Sequence, residues 1–193
     1  GTEYSAFDIN SIMMATPYFF SKNGLPTIVR KDVRCYTANR QALSRDDIEG
    51  VNLMYSSTPF YQYRNTLNNF YFFTTNFNEL GNGSQGYSYE KIAGYLITNA
   101  SVAPNLEPLY RYFRPSTGHF YTTDFNELGT GAFGYQYEGL IGYVYPRRGF
   151  GRVPLYRYFN STIGHHFFTT DFDELGTGGN EYDYEDIVGY IID

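Results

Sequence analysis

The sequence has 193 residues, room for one large domain or two small ones around a real hydrophobic core. Its 14 basic and 20 acidic residues leave a formal net charge of -6, and no cluster of Lys and Arg occurs, which argues against a nucleic-acid partner. Tyr and Phe supply all of the 20% aromatic content, and with frequent Gly they favour strands over helices. One cysteine, Cys35, excludes an internal disulfide, and no apolar run is long enough to span a bilayer.

Residues 1–57 open with "GTEYSAFDIN", which reads as a mature or cut terminus without a signal peptide. "FSKNGLPTIV" predicts a hairpin-like turn and a short strand. "SRDDIEGVNLMY" predicts a helix, with Ser44 as its cap, Asp47 three residues on, and Ile48, Val51 and Met54 on one apolar face. The segment therefore reads as small and α+β.

From residue 58 the chain says one thing three times. "PFYQYRNTLNNFYFFTTNFNELGNG" begins at Pro59, "PLYRYFRPSTGHFYTTDFNELGTG" at Pro108 and "PLYRYFNSTIGHHFFTTDFDELGTG" at Pro154. The Thr pairs Thr74-Thr75, Thr122-Thr123 and Thr169-Thr170 recur at spacings of 48 and 47. Such a period belongs to units that bury a core only by packing together. Within each copy, "PLYRYF" alternates as a strand and "HFYTT" returns as its hairpin partner. "DFNEL" predicts one helical turn capped by Asp124, with Glu127 three residues on as in a capping box, and ended by Gly129. "GYQYEGLIGYVY" predicts one bent strand or two short ones, with a bulge or a close backbone approach at Gly139 and Gly142. With about four short strands per copy, the units 58–98, 108–147 and 154–193 are expected to close into a mostly β, three-repeat β-trefoil-like barrel, with an open solenoid as the alternative.

The opening segment carries a resemblance. "SIMMATPYFFSKNGLPTI" and the later "QALSRDDIEGVNLMY" resemble the C-terminal end of an astacin-type (metzincin) zinc peptidase over about residues 4–55, with Ser11-Ile12-Met13 as the Met-turn. The family's zinc-binding H-E-x-x-H-x-x-G-x-x-H helix has no counterpart before Ser11. Where the family has His-Tyr after the turn, this chain has Met14 and Ala15. The resemblance implies either a peptidase whose zinc-binding half has been removed or a structural relic. No catalytic residue, metal ligand or cofactor is assigned within the chain. The repeats over 58–193 resemble a module of unassigned function attached to secreted hydrolases and peptidases, in bacteria especially, which implies secretion and an accessory role.

Equivalent positions across the copies pick out candidate site residues. One position reads Gln62, Arg111, Arg157, a second Tyr71, His119, His166, and a third Asn76, Asp124, Asp171. The charges of copies two and three vanish together in copy one. One reading is a polar pocket in which Arg111, His119 and Asp124, and likewise Arg157, His166 and Asp171, bind sugar hydroxyls or a carboxylate beside aromatic faces. The other is an Arg–Asp structural pair, replaced in copy one by a neutral amide pair. Glu90, Glu138 and Glu185 recur after a Tyr, with a ligand or the backbone as partner. The Thr pairs are expected to cap the following turn. Adjacent His165 and His166 point to opposite faces of a strand, which does not favour a metal site. The acidic run from Gly179 to Asp186 lacks the spacing of an EF-hand loop. Sequons stand at Asn82, Asn99 and Asn160.

Together these features lead to the expectation of a secreted, non-catalytic carbohydrate- or cell-surface-binding module. It has Arg111, His119, Asp124, Glu138, Arg157, His166, Asp171 and Glu185 as ligand-binding residues. The alternative is the C-terminal chain of a processed astacin-like metalloprotease, partnered by its missing half.

Overall fold

The computed structural model describes residues 7–193, so the terminal reading of residues 1–6 lies outside the described residues. The chain divides into two compact units, Gly1–Tyr55 and Ser56–Asp193.

The first unit holds one helix, α1 (Arg45–Tyr55), and no strand among its described residues. The expected short strand is absent because "FSKNGLPTIV" is folded by local bonds instead. The amides of Thr27 and Ile28 donate to the Pro17 carbonyl, and the Thr27 hydroxyl donates to the Phe19 carbonyl. The helix start follows the sequence. The Asp47 amide donates to Ser44 Oγ at 2.9 Å, and the Ser44 amide donates back to Asp47 Oδ2 at 2.9 Å. Asp47 also accepts from the Ser11 hydroxyl at 2.5 Å and the Ile12 amide at 3.0 Å, so the helix cap and the Ser11-Ile12-Met13 turn are one hydrogen-bonded unit. These bonds, the Ser11 hydroxyl first, pull the Asp47 carboxyl down to about 2. The predicted apolar face does not form a core. Ile48, Val51 and Met54 are exposed, and Leu53 is the buried helix residue.

The second unit is mostly β. It contains β1 (Ser57–Asn65), β2 (Tyr71–Thr74), β3 (Tyr87–Ile97), β4 (Glu107–Arg114), β5 (Gly118–Thr122), β6 (Gln136–Val144), β7 (Arg152–Asn160), β8 (His165–Thr169), β9 (Gly178–Gly179) and β10 (Tyr182–Ile192). Each repeat is one three-stranded antiparallel sheet with its first strand in the middle: β2-β1-β3, β5-β4-β6 and β8-β7-β10. The long "GYQYEGLIGYVY" segment is a single strand, so each copy has three main strands and not four.

The three sheets meet through their last strands. Ile97 pairs with Tyr143, Tyr145 with Tyr190, and Ile192 with Tyr95. These are equivalent positions, and each copy bridges to the next until the third returns to the first. The result is one ten-stranded antiparallel sheet that is not closed into a barrel. Glycine makes the joint possible. A Cβ on Gly94 (φ +152) would lie 2.6 Å from both Ile191 Cδ1 and the Ile192 carbonyl oxygen. A Cβ on Gly142 would lie 2.9 Å from Leu96 of the preceding copy, and one on Gly189 would likewise clash with Val144.

The core is built from equivalent side chains: Phe60, Leu109 and Leu155, then Phe73, Tyr121 and Phe168, then Leu96, Val144 and Ile191. Tyr121 meets Phe73 and Phe168 edge-on, with its ring centroid 5.8 and 5.1 Å from theirs. The fully buried Tyr63, Tyr112 and Tyr158 each donate to the carbonyl of the glycine that ends the one-turn helix, Gly81, Gly129 and Gly176, at 2.8–2.9 Å.

Candidate functional site

Two bulges in each long strand set the site. Along β4 and β6, Arg111 pairs with Gly139 but Tyr112 pairs with Tyr137, so Glu138 is the extra residue. Glu90 and Glu185 are the extra residues at the same place in β3 and β10. A bulge turns the extra side chain off the ordinary alternation. Here it carries the carboxylate to the neighbouring middle strand. Arg111 Nε donates to Glu138 Oε2 at 2.8 Å, and Arg157 Nε lies 2.9 Å from Glu185 Oε2.

The other side of each guanidinium reaches the preceding repeat. Arg111 Nη1 and Nη2 fork onto both oxygens of Glu79, at 3.0 and 3.3 Å. Arg157 Nη1 lies 3.3 Å from Glu127. Glu79 and Glu127 are the acids of the "NEL" turns, one repeat back. Each Arg therefore clasps two repeats between two carboxylates. It also rests on the preceding copy's phenylalanine, Arg111 over Phe72 at 5.0 Å and Arg157 over Phe120 at 5.3 Å.

The histidines complete the clasp. His119 lies between Phe72 and Phe113, with ring centroids 4.5 and 4.8 Å away, and His166 lies between Phe120 and Phe159, both at 4.6 Å. Burial, followed by the neighbouring Arg111, pushes His119 down to about 3, and burial with Arg157 and His165 does the same to His166. Both rings are neutral at neutral pH. Their Nε2 atoms stand 3.5 Å from Glu138 and Glu185, which assigns the proton to Nε2. The Nδ1 atoms are buried without a hydrogen-bond partner. The contact is a long N–H···O approach and not an ion pair.

The predicted Arg–Asp pair does not form. Asp124 and Asp171 accept from the amides of Asn126 and Asp173 at 2.8 and 3.0 Å and cap the one-turn helices Phe125–Glu127 and Phe172–Glu174. Asn76 does the same in copy one, at 3.1 Å. Short carboxylates spent on a local cap do not extend to the guanidinium. The Glu three residues on does, so Glu127 leaves the capping-box position expected of it. Arg111, His119 and Glu138 are brought together, and so are Arg157, His166 and Glu185. Sequence reasoning did not single out Glu79, and it gave Glu127 to the cap and not to the arginine. Their signal is an acid retained in all three turns (Glu79, Glu127, Glu174) on an exposed segment with no local partner.

The threonines split their duties. Buried Thr74, Thr122 and Thr169 accept the amide two residues on, each at 3.0 Å. Thr75 and Thr123 donate to the carbonyls of Ile141 and Val188 in the next copy, at 3.3 and 3.4 Å. His165 turns away from His166. It stacks on Phe70 with centroids 3.9 Å apart, and its Nδ1 sits 2.7 Å from the Tyr182 hydroxyl. Among the described residues no group of three or more His, Cys, Asp or Glu is placed to hold a metal ion. Asn160 is buried, its side chain accepting from Thr162 and Ile163, while Asn82 and Asn99 are exposed.

Two clefts flank the clasps. One of about 290 Å³ lies between the first and second repeats, where Phe72, Leu80, Gln85 and Tyr87 face Glu79, Arg111, His119 and Glu138. Another of about 340 Å³ lies between the second and third, lined by Thr123, Asp124, Glu127, Arg157, Asp186 and Val188. Each combines apolar wall with carboxylate and guanidinium edges. Each repeat also presents one half-exposed aromatic triad: Tyr61, Phe77 and Tyr89; Tyr110, Phe125 and Tyr137; Tyr156, Phe172 and Tyr184.

The family described as a domain of unknown function (DUF5648) matches residues 36–132 and 59–192. The chain belongs to the DUF5648 family. The longer DUF5648 match runs across all three copies, and the shorter one begins within the first unit. Two overlapping matches are what a pattern with internal repetition produces. No curated protein and no solved structure matches the chain. No helix among the described residues is long and apolar enough to cross a membrane.

Proposed function

We propose that the repeat body is a non-catalytic binding module for carbohydrate or cell-surface material, secreted and lectin-like, with its sugar seat in the cleft between the first two repeats. The observation that carries this reading is the cleft itself. Carboxylates of Glu79 and Glu138, about one third exposed at the side chain (33% and 30%), flank a fixed guanidinium beside the half-buried Tyr87. Paired carboxylates accept from vicinal hydroxyls, and an aromatic face accepts the apolar face of a sugar ring. The neutral, shielded histidine does not offer a proton carrier at neutral pH, which fits binding over catalysis. The trefoil-like reading of the fold belongs to the same proposal. The cyclic bridges support a pseudo-threefold array, which would present its clefts at repeating intervals. A glycan, wall-polymer and mucin array probed with the intact chain and with Glu79→Gln tests it. Capture that is lost in a folded Glu79→Gln variant is expected. Failure to bind any such material, with a defined protein partner found instead, overturns it.

A second reading keeps the chain as the C-terminal part of a secreted astacin-like metalloprotease. It is favoured by the first unit, where Met13, Phe19, Phe20 and Val33 are exposed and only Pro17 and Leu53 are buried among residues 7–55. A precursor that carries the zinc helix upstream of Gly1 would decide for it.

A further inference from the structure

The three inter-repeat clasps are one design, and the third lacks its cation. Between copies one and two, Arg111 sits between Glu79 and Glu138; between copies two and three, Arg157 sits between Glu127 and Glu185. At the third clasp the equivalent acids are Glu174 and Glu90, and the residue in the arginine position is Gln62. Its Nε2 donates to Glu90 Oε2 at 2.9 Å, as Arg111 Nε does to Glu138. Among the described residues the outer half of the guanidinium is replaced only by a single long-range donor, the Tyr71 hydroxyl. Glu174 is left with the Tyr71 hydroxyl at 3.5 Å, and among the described residues neither Glu90 nor Glu174 forms an ion pair.

Gln62 gives an independent sign. It is only 3% exposed, and its Oε1 is buried in the clasp without a hydrogen-bond donor. A buried amide oxygen left unpaired costs stability that a donor would restore. Two cations are near: Arg64 lies across the hairpin from Tyr71, where its charge is felt, and Lys91 is the register partner of Gln62 across β1 and β3. Both are exposed, and neither forms an ion pair with Glu90 or Glu174. Both Glu90 and Glu174 are themselves exposed, so the gap opens to solvent.

We propose that the third clasp binds an external guanidinium group, which takes the place that Arg111 and Arg157 hold at the other two. A guanidinium has five donors in a plane, enough for both acids and the unpaired Gln62 oxygen, whereas an ammonium is a point charge without that fork. The site lies apart from the proposed sugar cleft, and its test reads neither glycan capture nor that cleft.

Thermal unfolding of the intact chain tests the assignment with methylguanidinium chloride, against methylammonium and calcium chloride at matched ionic strength. Methylguanidinium at millimolar concentration is expected to raise the melting temperature by about 2–4 °C and to shift the Gln62 side-chain amide resonance. Gln62→Arg is expected to melt higher without ligand and to lose the response. Glu174→Gln changes an exposed side chain, is expected to leave the unliganded fold unchanged by circular dichroism and to lose the response too, and covers the case of a Gln62→Arg chain that does not fold. Free arginine compared with a capped Gly-Arg-Gly peptide separates a small-molecule source from a polypeptide one. Equal responses to methylguanidinium and methylammonium, a response to calcium alone, or an unchanged response in Glu174→Gln overturns the proposal.

Discussion

The two units handle the same apolar alphabet in opposite ways. In the repeat body most Tyr and Phe have an aromatic equivalent in the two other copies, and the copies converge into one core with Tyr112, Tyr121 and Phe73 at 0% exposure. In the first unit Phe20, Met13 and Val33 are exposed at 82–85%, and turns and Asp47 carry the order instead. A sheet face repeated three times buries itself against its own copies, while a short unrepeated segment has too little surface to enclose a core.

The joint between repeats is where that contrast is most easily broken. Gly94→Ala places a Cβ 2.6 Å from a backbone oxygen at a φ that L residues avoid, with an expected loss of about 2–5 kcal/mol. Gly24→Ala in the first unit, with φ +74 but nothing within 4 Å, is expected to cost about 1 kcal/mol. Urea unfolding of the two variants measures the gap, and equal losses would mean that the central bridges carry no packing.

Acid separates the two units next. His119 and His166 have folded pKa values near 3 against an ordinary 6.5, so the unfolded chain binds more protons between those limits. The stability they contribute is complete above pH 6.5 and is lost as pH falls toward 3, on the order of several kcal/mol for each ring. Glu185, raised by burial, opposes this in part. Asp47 is lowered from 3.8 to about 2, so the helix cap holds down to about pH 4 and weakens only below it. Loss of tyrosine near-ultraviolet dichroism should precede loss of α1 on acidification. A His119→Tyr, His166→Tyr chain, which copies Tyr71, should flatten the slope of the repeat body between pH 6.5 and 4.

Smaller effects sharpen the picture. The Tyr121 hydroxyl accepts from the Phe73 amide at 2.8 Å and donates to the Phe73 carbonyl at 2.9 Å, so Tyr121→Phe orphans two buried backbone groups. The expected cost is about 1–3 kcal/mol, read from the urea midpoint, although Phe is the residue at both equivalent positions. Val33→Ser removes an 82% exposed side chain and should shift the midpoint by less than about 0.5 kcal/mol.

Much of the fold was legible because repetition turns one chain into its own alignment. The Thr caps, the one-turn helices with their Asp caps, the hairpins and the bulges all follow from local residue chemistry and were readable copy by copy. The Arg, His and Glu positions were visible as a set. Their partners were not, since Asp124 and Glu127 lie three residues apart and either could meet an arginine. Only the return of each sheet against the preceding one chooses Glu127 for Arg157 and leaves Asp124 to its cap. The apolar stripe of α1 misled for a related reason. Periodicity marks a face that can be buried, but it does not supply what covers it.

By itself, the sequence determined the β-rich class, the threefold repetition and the local turns, because alternation, capping and glycine freedom act over a few residues. The tertiary structure decided that the sheet does not close into a barrel, which acids clasp which cations, and that the Gln62 left by the sequence in place of an arginine faces two acids. Those depend on bulges and on contacts about 30 residues apart, such as Arg111 with Glu79 and Arg157 with Glu127, whose energies exist only once the repeats have met.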